Sequence, residues 1–218
     1  DFKPILTTDF KVSVAPLFFT FDNKNLYVAS NRERDKTAIF EFDLIKSKEG
    51  RLIFEHDEVD VSNLLFSRKR KVLTGVSYTV AKNEMIFFDK WREEIQQQLE
   101  KKLPGYEVVI TSFSKDEAEA VVVTYSDKSR GTYYHYEVNK NKLTELGKVS
   151  PWLNEKNMSE MKPIKYKSRD GLTINGYLTL PKGTNGKNLP VVVNPHGGPW
   201  ARDNWGYKSE IQFLANRG

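Results

Sequence analysis

Short apolar runs, each bounded by polar turns, dominate the first two thirds of the chain, and three of them fall into a repeat. Phe21-Asp22-Asn23-Lys24-Asn25-Leu26-Tyr27-Val28, Phe66-Ser67-Arg68-Lys69-Arg70-Lys71-Val72-Leu73 and Phe113-Ser114-Lys115-Asp116-Glu117-Ala118-Glu119-Ala120-Val121-Val122 begin on phenylalanines 45 and 47 residues apart. Each phenylalanine leads into a polar turn and then an apolar strand, the layout of one β-hairpin per repeat. The first and third repeats agree further along. Ala38-Ile39-Phe40-Glu41-Phe42-Asp43-Leu44 parallels Thr132-Tyr133-Tyr134-His135-Tyr136-Glu137-Val138, and Arg51-Leu52-Ile53-Phe54 parallels Lys142-Leu143-Thr144-Glu145-Leu146. A period of this length carrying about four short strands predicts β-propeller blades, three in succession; a β-sandwich is the competing architecture.

The middle repeat departs from the pattern after Phe88. Trp91, Ile95, Leu99 and Leu103 recur every four residues, which draws one apolar stripe along a helix. Asp89 can cap its start, Glu93 and Glu94 sit in the first turn, Lys101 and Lys102 suit the negative end of its dipole, and Pro104-Gly105 stops it. The spacing therefore predicts a helical insertion within a blade.

From Pro151 the character changes: the last 68 residues hold 6 of the 9 prolines, 8 of the 13 glycines and 3 of the 4 tryptophans. This shift predicts two domains, residues 1–152 as the later part of a propeller and residues 153–218 as the start of a second domain. Residues 163–168 and 172–180 read as a hairpin about the turn Arg169-Asp170-Gly171. Pro190-Val191-Val192-Val193-Asn194 reads as a short strand buried on both faces, as in an α/β sheet. Residues 209–217 carry Ile211, Phe213 and Leu214 at helical spacing.

Composition changes this picture little. With 39% apolar and 29% charged residues the chain belongs to the folded globular class. The absence of cysteine excludes disulfides, thiolate metal sites and a cysteine nucleophile. The net charge of +5 invites a nucleic-acid partner, but the only basic cluster, Arg68-Lys69-Arg70-Lys71, falls on a repeat turn and reads as a solvated hairpin. No run approaches the ~20 apolar residues of a membrane span. Neither nucleic acid nor membrane is expected as a partner. A start at Asp1 without an initiator Met is the pattern of a piece cut from a longer chain, so the compartment is left open.

The chemistry gathers at Pro195-His196-Gly197-Gly198-Pro199, placed between the buried strand and the last helix. Two adjacent glycines allow backbone N–H groups to approach a substrate carbonyl. In an α/β-hydrolase the loop between third strand and first helix supplies half of the oxyanion hole. The stretch from Arg169-Asp170-Gly171 through Gly176-Tyr177-Leu178, Leu189 to Trp200, Arg202-Asp203 and Gln212 to Gly218 resembles the entry into the catalytic domain of prolyl oligopeptidase family serine peptidases, most of all the acylaminoacyl peptidase and dipeptidyl aminopeptidase branch. The blades fit the likeness, because in that family a propeller precedes and caps the hydrolase domain. The resemblance implies hydrolysis of short peptides by a Ser-Asp-His triad, without cofactor or metal. It makes Gly198 the loop's oxyanion donor, has Gly197 assist the turn, and gives His196 and Pro199 the task of shaping the loop. Trp200, Arg202, Asp203 and Trp205, which follow, border the substrate or hold the loop.

His196 is not the general base, since in this fold the base comes last in the chain order Ser, acid, His. The chain has no G-x-S-x-G: Gly75-Val76-Ser77-Tyr78-Thr79 lacks the second glycine and falls in a blade strand, and Ser112-Phe113-Ser114-Lys115 matches S-x-x-K on a blade turn. His56 and His135 stand alone on strands with no second metal ligand at useful spacing. The sequence therefore predicts a chain that supplies blades and an oxyanion loop to a parent peptidase but none of its triad, and is inactive alone. It is also expected to associate with itself or with the rest of the enzyme through unpaired edges. A non-catalytic binding module and an esterase of the same fold are the alternatives.

Overall fold

The computed structural model describes residues 3–198 and 200–218, so the role placed on Pro199 lies outside the described residues. The chain divides into two compact units, Asp1–Ile95 and Gln96–Gly218.

The first unit holds two antiparallel sheets. Strands β1 (Val14–Phe19), β2 (Leu26–Ser30), β3 (Ala38–Asp43) and β4 (Lys48–Phe54) pair in chain order, and β5 (Asn63–Ser67), β6 (Val72–Thr79) and β7 (Asn83–Phe87) form a three-stranded meander. Successive residues of β2 point to opposite faces, and both faces are covered. Tyr27 and Ala29 join Leu64, Val76 and Tyr78 of the second sheet in one buried cluster, while Val28 joins Ala38, Phe40 and Phe42 in another. Burial on both sides is why β2 reads as a continuous apolar run instead of an alternating one.

The second unit contains β8 (Glu107–Phe113), β9 (Glu119–Tyr125), β10 (Thr132–Glu137) and β11 (Lys142–Lys148), again a four-stranded antiparallel meander. After it come the hairpin β12 (Met161–Lys167) and β13 (Thr173–Thr179) and the helix α2 (Ser209–Ala215). These open four-stranded sheets are the blades that the repeat predicts.

The register sharpens the repeat to 47 residues. The cross-strand pairs Phe19 with Leu26, Phe66 with Leu73 and Phe113 with Ala120 follow one another at intervals of 47 residues; the first and third close their ladders, and in the second one further pair, Ser67 with Val72, precedes the turn. The equivalence thus starts from Phe19 and not from Phe21, which lies inside the turn, where no ladder fixes the register. Turn chemistry follows the same phase: Thr20 Oγ1 donates to Asp22 Oδ1 at 2.7 Å, and 94 residues on Ser114 Oγ donates to Asp116 Oδ1 at 2.6 Å. Asn23 and Glu117 both take left-handed backbone, with φ of 59° and 55°. β3 and β10 begin at Ala38 and Thr132, and β4 and β11 at Lys48 and Lys142, so Lys48 rather than Arg51 is the counterpart of Lys142.

In the second repeat, the span equivalent to β4 falls on residues 95–101, which are helical: α1 (Lys90–Lys102) stands where a fourth strand would be, with no added chain length. Apart from Trp91 and Ile95 its residues are Glu, Gln, Lys, Arg and Leu, which are good helix formers, and Glu and Lys are depleted in strands. Of the predicted stripe, Ile95, Leu99 and Leu103 are buried, with Leu99 fully inaccessible, while Trp91 is half-buried; Arg92 and Gln96 are buried as well. Gln96 Nε2 donates to the Val108 carbonyl at 2.8 Å. Asp89 caps the helix by accepting from Arg92 N at 2.9 Å through Oδ1, and its Oδ2 accepts from Arg70 Nη1 at 2.7 Å. The basic turn is therefore only partly solvated, because Arg70 also lies over the Trp91 ring at 4.3 Å.

Burial would raise the Asp89 carboxyl, but the hydrogen bonds from Arg70 and Arg92 outweigh it and hold the group below its ordinary value of 3.8. A depressed carboxyl contributes stability above its unfolded value, and that contribution is lost as pH falls through the folded value. Asp89→Ala is expected to weaken amide protection of α1 by about 1–2 kcal/mol at about pH 6. The difference from wild type should shrink below 3.8. Hydrogen exchange of the α1 amides at the two pH values checks this.

The β12–β13 hairpin turns through Ser168 to Leu172, with Gly171 at φ 86° and the Ser168 hydroxyl donating to Asp170. Residues 190–194 depart from expectation. They are not a strand, and Val191 is 83% exposed. An apolar strand buried on both faces exists only between ladder partners, and among the described residues no strand pairs with this segment. Helix α2 also turns a different face inward: Gln212 and Ala215 are buried, while Phe213 and Leu214 are exposed.

Candidate oxyanion loop

Of the two adjacent glycines in the loop after the hairpin, the backbone demands the second. Gly198 has φ of 116°, and a Cβ there would lie 2.9 Å from the Ala201 Cβ and 3.2 Å from the nitrogens of Trp200 and Ala201. Both the conformation and the close approach exclude a side chain. Gly197 differs, having no positive φ and open space around its missing Cβ. His196 Nδ1 lies 2.8 Å from the Gly197 carbonyl, which only accepts, so the imidazole donates in the tautomer protonated at Nδ1. The ring thereby braces the peptide leading into Gly198. Residues 190–198 are exposed to solvent.

Beyond the loop, the predicted border residues separate. Trp200 is 81% exposed, and Arg202 donates from Nε to the Asp203 carbonyl at 3.3 Å and from Nη2 to the Tyr177 hydroxyl at 3.5 Å. The Asp203 carboxylate is 4.0 Å from Lys208 Nζ. Trp205 turns inward, its indole N–H donating to the Met161 carbonyl at 2.8 Å. Residues 204–208 form one wall of an open cleft of about 270 Å³ whose other wall is Tyr125, Ser129 and Arg130, from the end of β9 and its turn. In the Tyr125 side chain, burial raises the phenol above its ordinary value, with the Glu107 charge adding to it, so the hydroxyl stays a donor.

Two residues behind this cleft went unnoticed in the sequence. Gln212 Nε2 donates to the carbonyls of Asp127 and Ser159 at 3.0 and 2.8 Å, and its Oε1 accepts from Ser159 N at 2.8 Å. Asp127 Oδ2 accepts from Met161 N at 2.7 Å. The available signal was a glutamine set between Ile211 and Phe213 in the apolar part of α2.

The other candidates have local roles. Ser77 lies in β6, its Oγ accepting from Asn63 Nδ2, and the Ser114 hydroxyl serves its turn. His56 Nδ1 accepts from Glu58 N at 3.0 Å, and His135 Nε2 lies 3.4 Å from Glu119. No group of three His, Asp or Glu side chains that could hold a metal ion occurs among the described residues. No helix among them is long and apolar enough to cross a membrane.

Along its whole length the chain is 31% identical to dipeptidyl aminopeptidase BIII of Pseudoxanthomonas mexicana, covering 31% of that protein. Over 96% of its length it is 24% identical to dipeptidyl peptidase family member 6 of Caenorhabditis elegans, again covering 31%. The solved structure of a puromycin hydrolase matches 95% of the chain at a TM-score of 0.65 and 14% identity, with 32% of that chain covered, which establishes the shared fold. Along its length the chain is similar to peptidases of the prolyl oligopeptidase family. No protein-family model matches it.

Members of the prolyl oligopeptidase family hydrolyse peptides, and this chain spans about a third of the length of the curated relatives it matches. The likeness to the Pseudoxanthomonas mexicana protein runs through the sheets, the hairpin and the loop alike, since it covers the whole chain.

Proposed function

We propose that this chain is the part of a longer serine-type peptidase that supplies propeller blades and the oxyanion loop, and that the full-length protein hydrolyses short peptides, in the manner that the dipeptidyl aminopeptidase names of its relatives describe. Residues 1–152 are blades and residues 153–218 open the hydrolase domain. The observation that carries this reading is Gly198: a left-handed, sterically closed glycine in the loop that joins a hairpin to a helix, in a chain matched end to end by a dipeptidyl aminopeptidase. Its N–H donates to the oxyanion of the tetrahedral intermediate, and His196 braces the peptide between Gly197 and Gly198. One such donor stabilises the transition state by ~2.7–4 kcal/mol. The nucleophile, acid and base are not in these 218 residues, which contain no G-x-S-x-G. Trp200, Arg202 and Asp203 lie along the edge of the same loop and border the peptide.

The test is a fluorophosphonate probe, which modifies an activated serine. The full-length protein should be labelled and should release dipeptides from short substrates; the 218-residue chain should remain unlabelled. Labelling of the chain by itself would show a nucleophile within it and overturn the assignment.

A further inference from the structure

The backbone of residues 159–161, where β12 begins, is held by three side chains in place of a neighbouring strand. Gln212 takes both the N–H and the carbonyl of Ser159, as another peptide would. Asp127 takes the N–H of Met161, and Trp205 donates to the Met161 carbonyl. The second hydrogen of the Gln212 amide closes the circuit on the Asp127 carbonyl, so every donor of that amide is used and its orientation is fixed. Gln212 and Asp127 are 6% and 7% exposed, so water does not replace a lost partner.

The circuit joins three stretches far apart in sequence. Asp127 comes from the β9–β10 turn of the last blade, residues 159–161 open the hairpin, and Trp205 and Gln212 lie seven and fourteen residues beyond Gly198. On the other side of the loop, residues 190–196 form no ladder among the described residues. The anchored end of the loop is therefore the one that this circuit holds.

We propose that Asp127 and Gln212 are positioning residues, which fix the chain after the Gly197–Gly198 turn against the last blade so that the oxyanion donor keeps its place through the reaction. The inference rests on the peptidase reading above. A merely structural role would cost stability alone. A positioning role costs turnover, because displacement of a donor by about an ångström lowers the rate by roughly 100-fold while leaving substrate binding nearly untouched.

The experiment uses the full-length protein, a dipeptidyl p-nitroanilide substrate, and hydrogen exchange of the Gly197 and Gly198 amides. Gln212→Met and Asp127→Leu should lower kcat roughly 10- to 100-fold with KM within about threefold, and should speed exchange at the two glycines. Asp127→Asn, which keeps an acceptor oxygen for Met161 N, should recover most of the rate. Leu99→Ala, equally buried but outside the circuit, should lower stability without changing kcat or the loop's exchange. If Gln212→Met does not fold, Trp205→Phe removes one bond and is read in the same way. A folded Gln212→Met with wild-type kcat and loop exchange, or a Leu99→Ala that loses both, overturns the proposal. An inactive wild type whose loop exchange still follows Gln212 would overturn only the peptidase reading.

Discussion

Gly198→Val in the full-length protein is expected to lower kcat by roughly 10²–10³-fold, with KM little changed. The substitution leaves the amide N–H in place, so its effect comes through geometry. At φ 116° a β-branched residue is strained, and its Cβ would meet the Ala201 Cβ at 2.9 Å and two backbone nitrogens at 3.2 Å. Relief requires rotation of the 197–198 peptide, which moves the donor away from the oxyanion, and the charge that develops in the transition state then loses its partner. The ground-state carbonyl carries less charge and loses less, which is why KM is spared. Gly197→Ala is the contrast, since a methyl group there meets nothing within 4 Å and the backbone is not left-handed. Its kcat should stay within about threefold of wild type. Steady-state kinetics of the two variants, with affinity for a peptidyl aldehyde as a transition-state analogue, decide the matter. Equal losses in both, or a loss confined to KM, would remove Gly198 from the oxyanion role.

Much of this was legible in the residues because repetition amplifies weak signals. One apolar run followed by a turn is ambiguous, but three such runs at nearly constant spacing predict blades, and the α1 stripe of Ile95, Leu99 and Leu103 needed only its four-residue period. The sequence leaves the phase of the first blade ambiguous by two residues because Phe19 and Phe21 are both aromatic, and only ladder pairing shows which one ends the strand. Residues 190–194 read as a buried strand from their apolarity, yet a strand is a relation between segments and not a property of one. The inner face of α2 was missed for a related reason: burial of Gln212 is permitted only by the carbonyls of Asp127 and Ser159, which are 85 and 53 residues away in sequence. Asp127, in a Ser-Asp-Lys-Ser turn, carries no local sign that its carboxylate faces Met161 N.

Gly131→Ala is expected to destabilise the last blade by about 2–5 kcal/mol, through left-handed strain and a backbone collision together. Gly131 has φ of 119°, and an added Cβ would lie 2.5 Å from the Thr124 carbonyl oxygen, an atom of β9 that has no flexible side chain to move aside. The glycine carbonyl also accepts from Val149 N at 2.9 Å, so the turn resists displacement from the far side as well. Gly105→Ala separates the two causes: its φ of 85° imposes strain, but nothing lies within 4 Å, and the loss should be only about 1 kcal/mol. Hydrogen exchange of the β9 and β10 amides measures both variants, and similar protection in the two would show that the contact with Thr124 relaxes freely. The consequence reaches beyond stability. The turn between β9 and β10 carries Asp127 as well as Gly131, so a backbone shift at Thr124 changes the position of the carboxylate that holds Met161. Gly131→Ala should therefore also raise the exchange of the Gly197 and Gly198 amides, whereas Gly105→Ala should not.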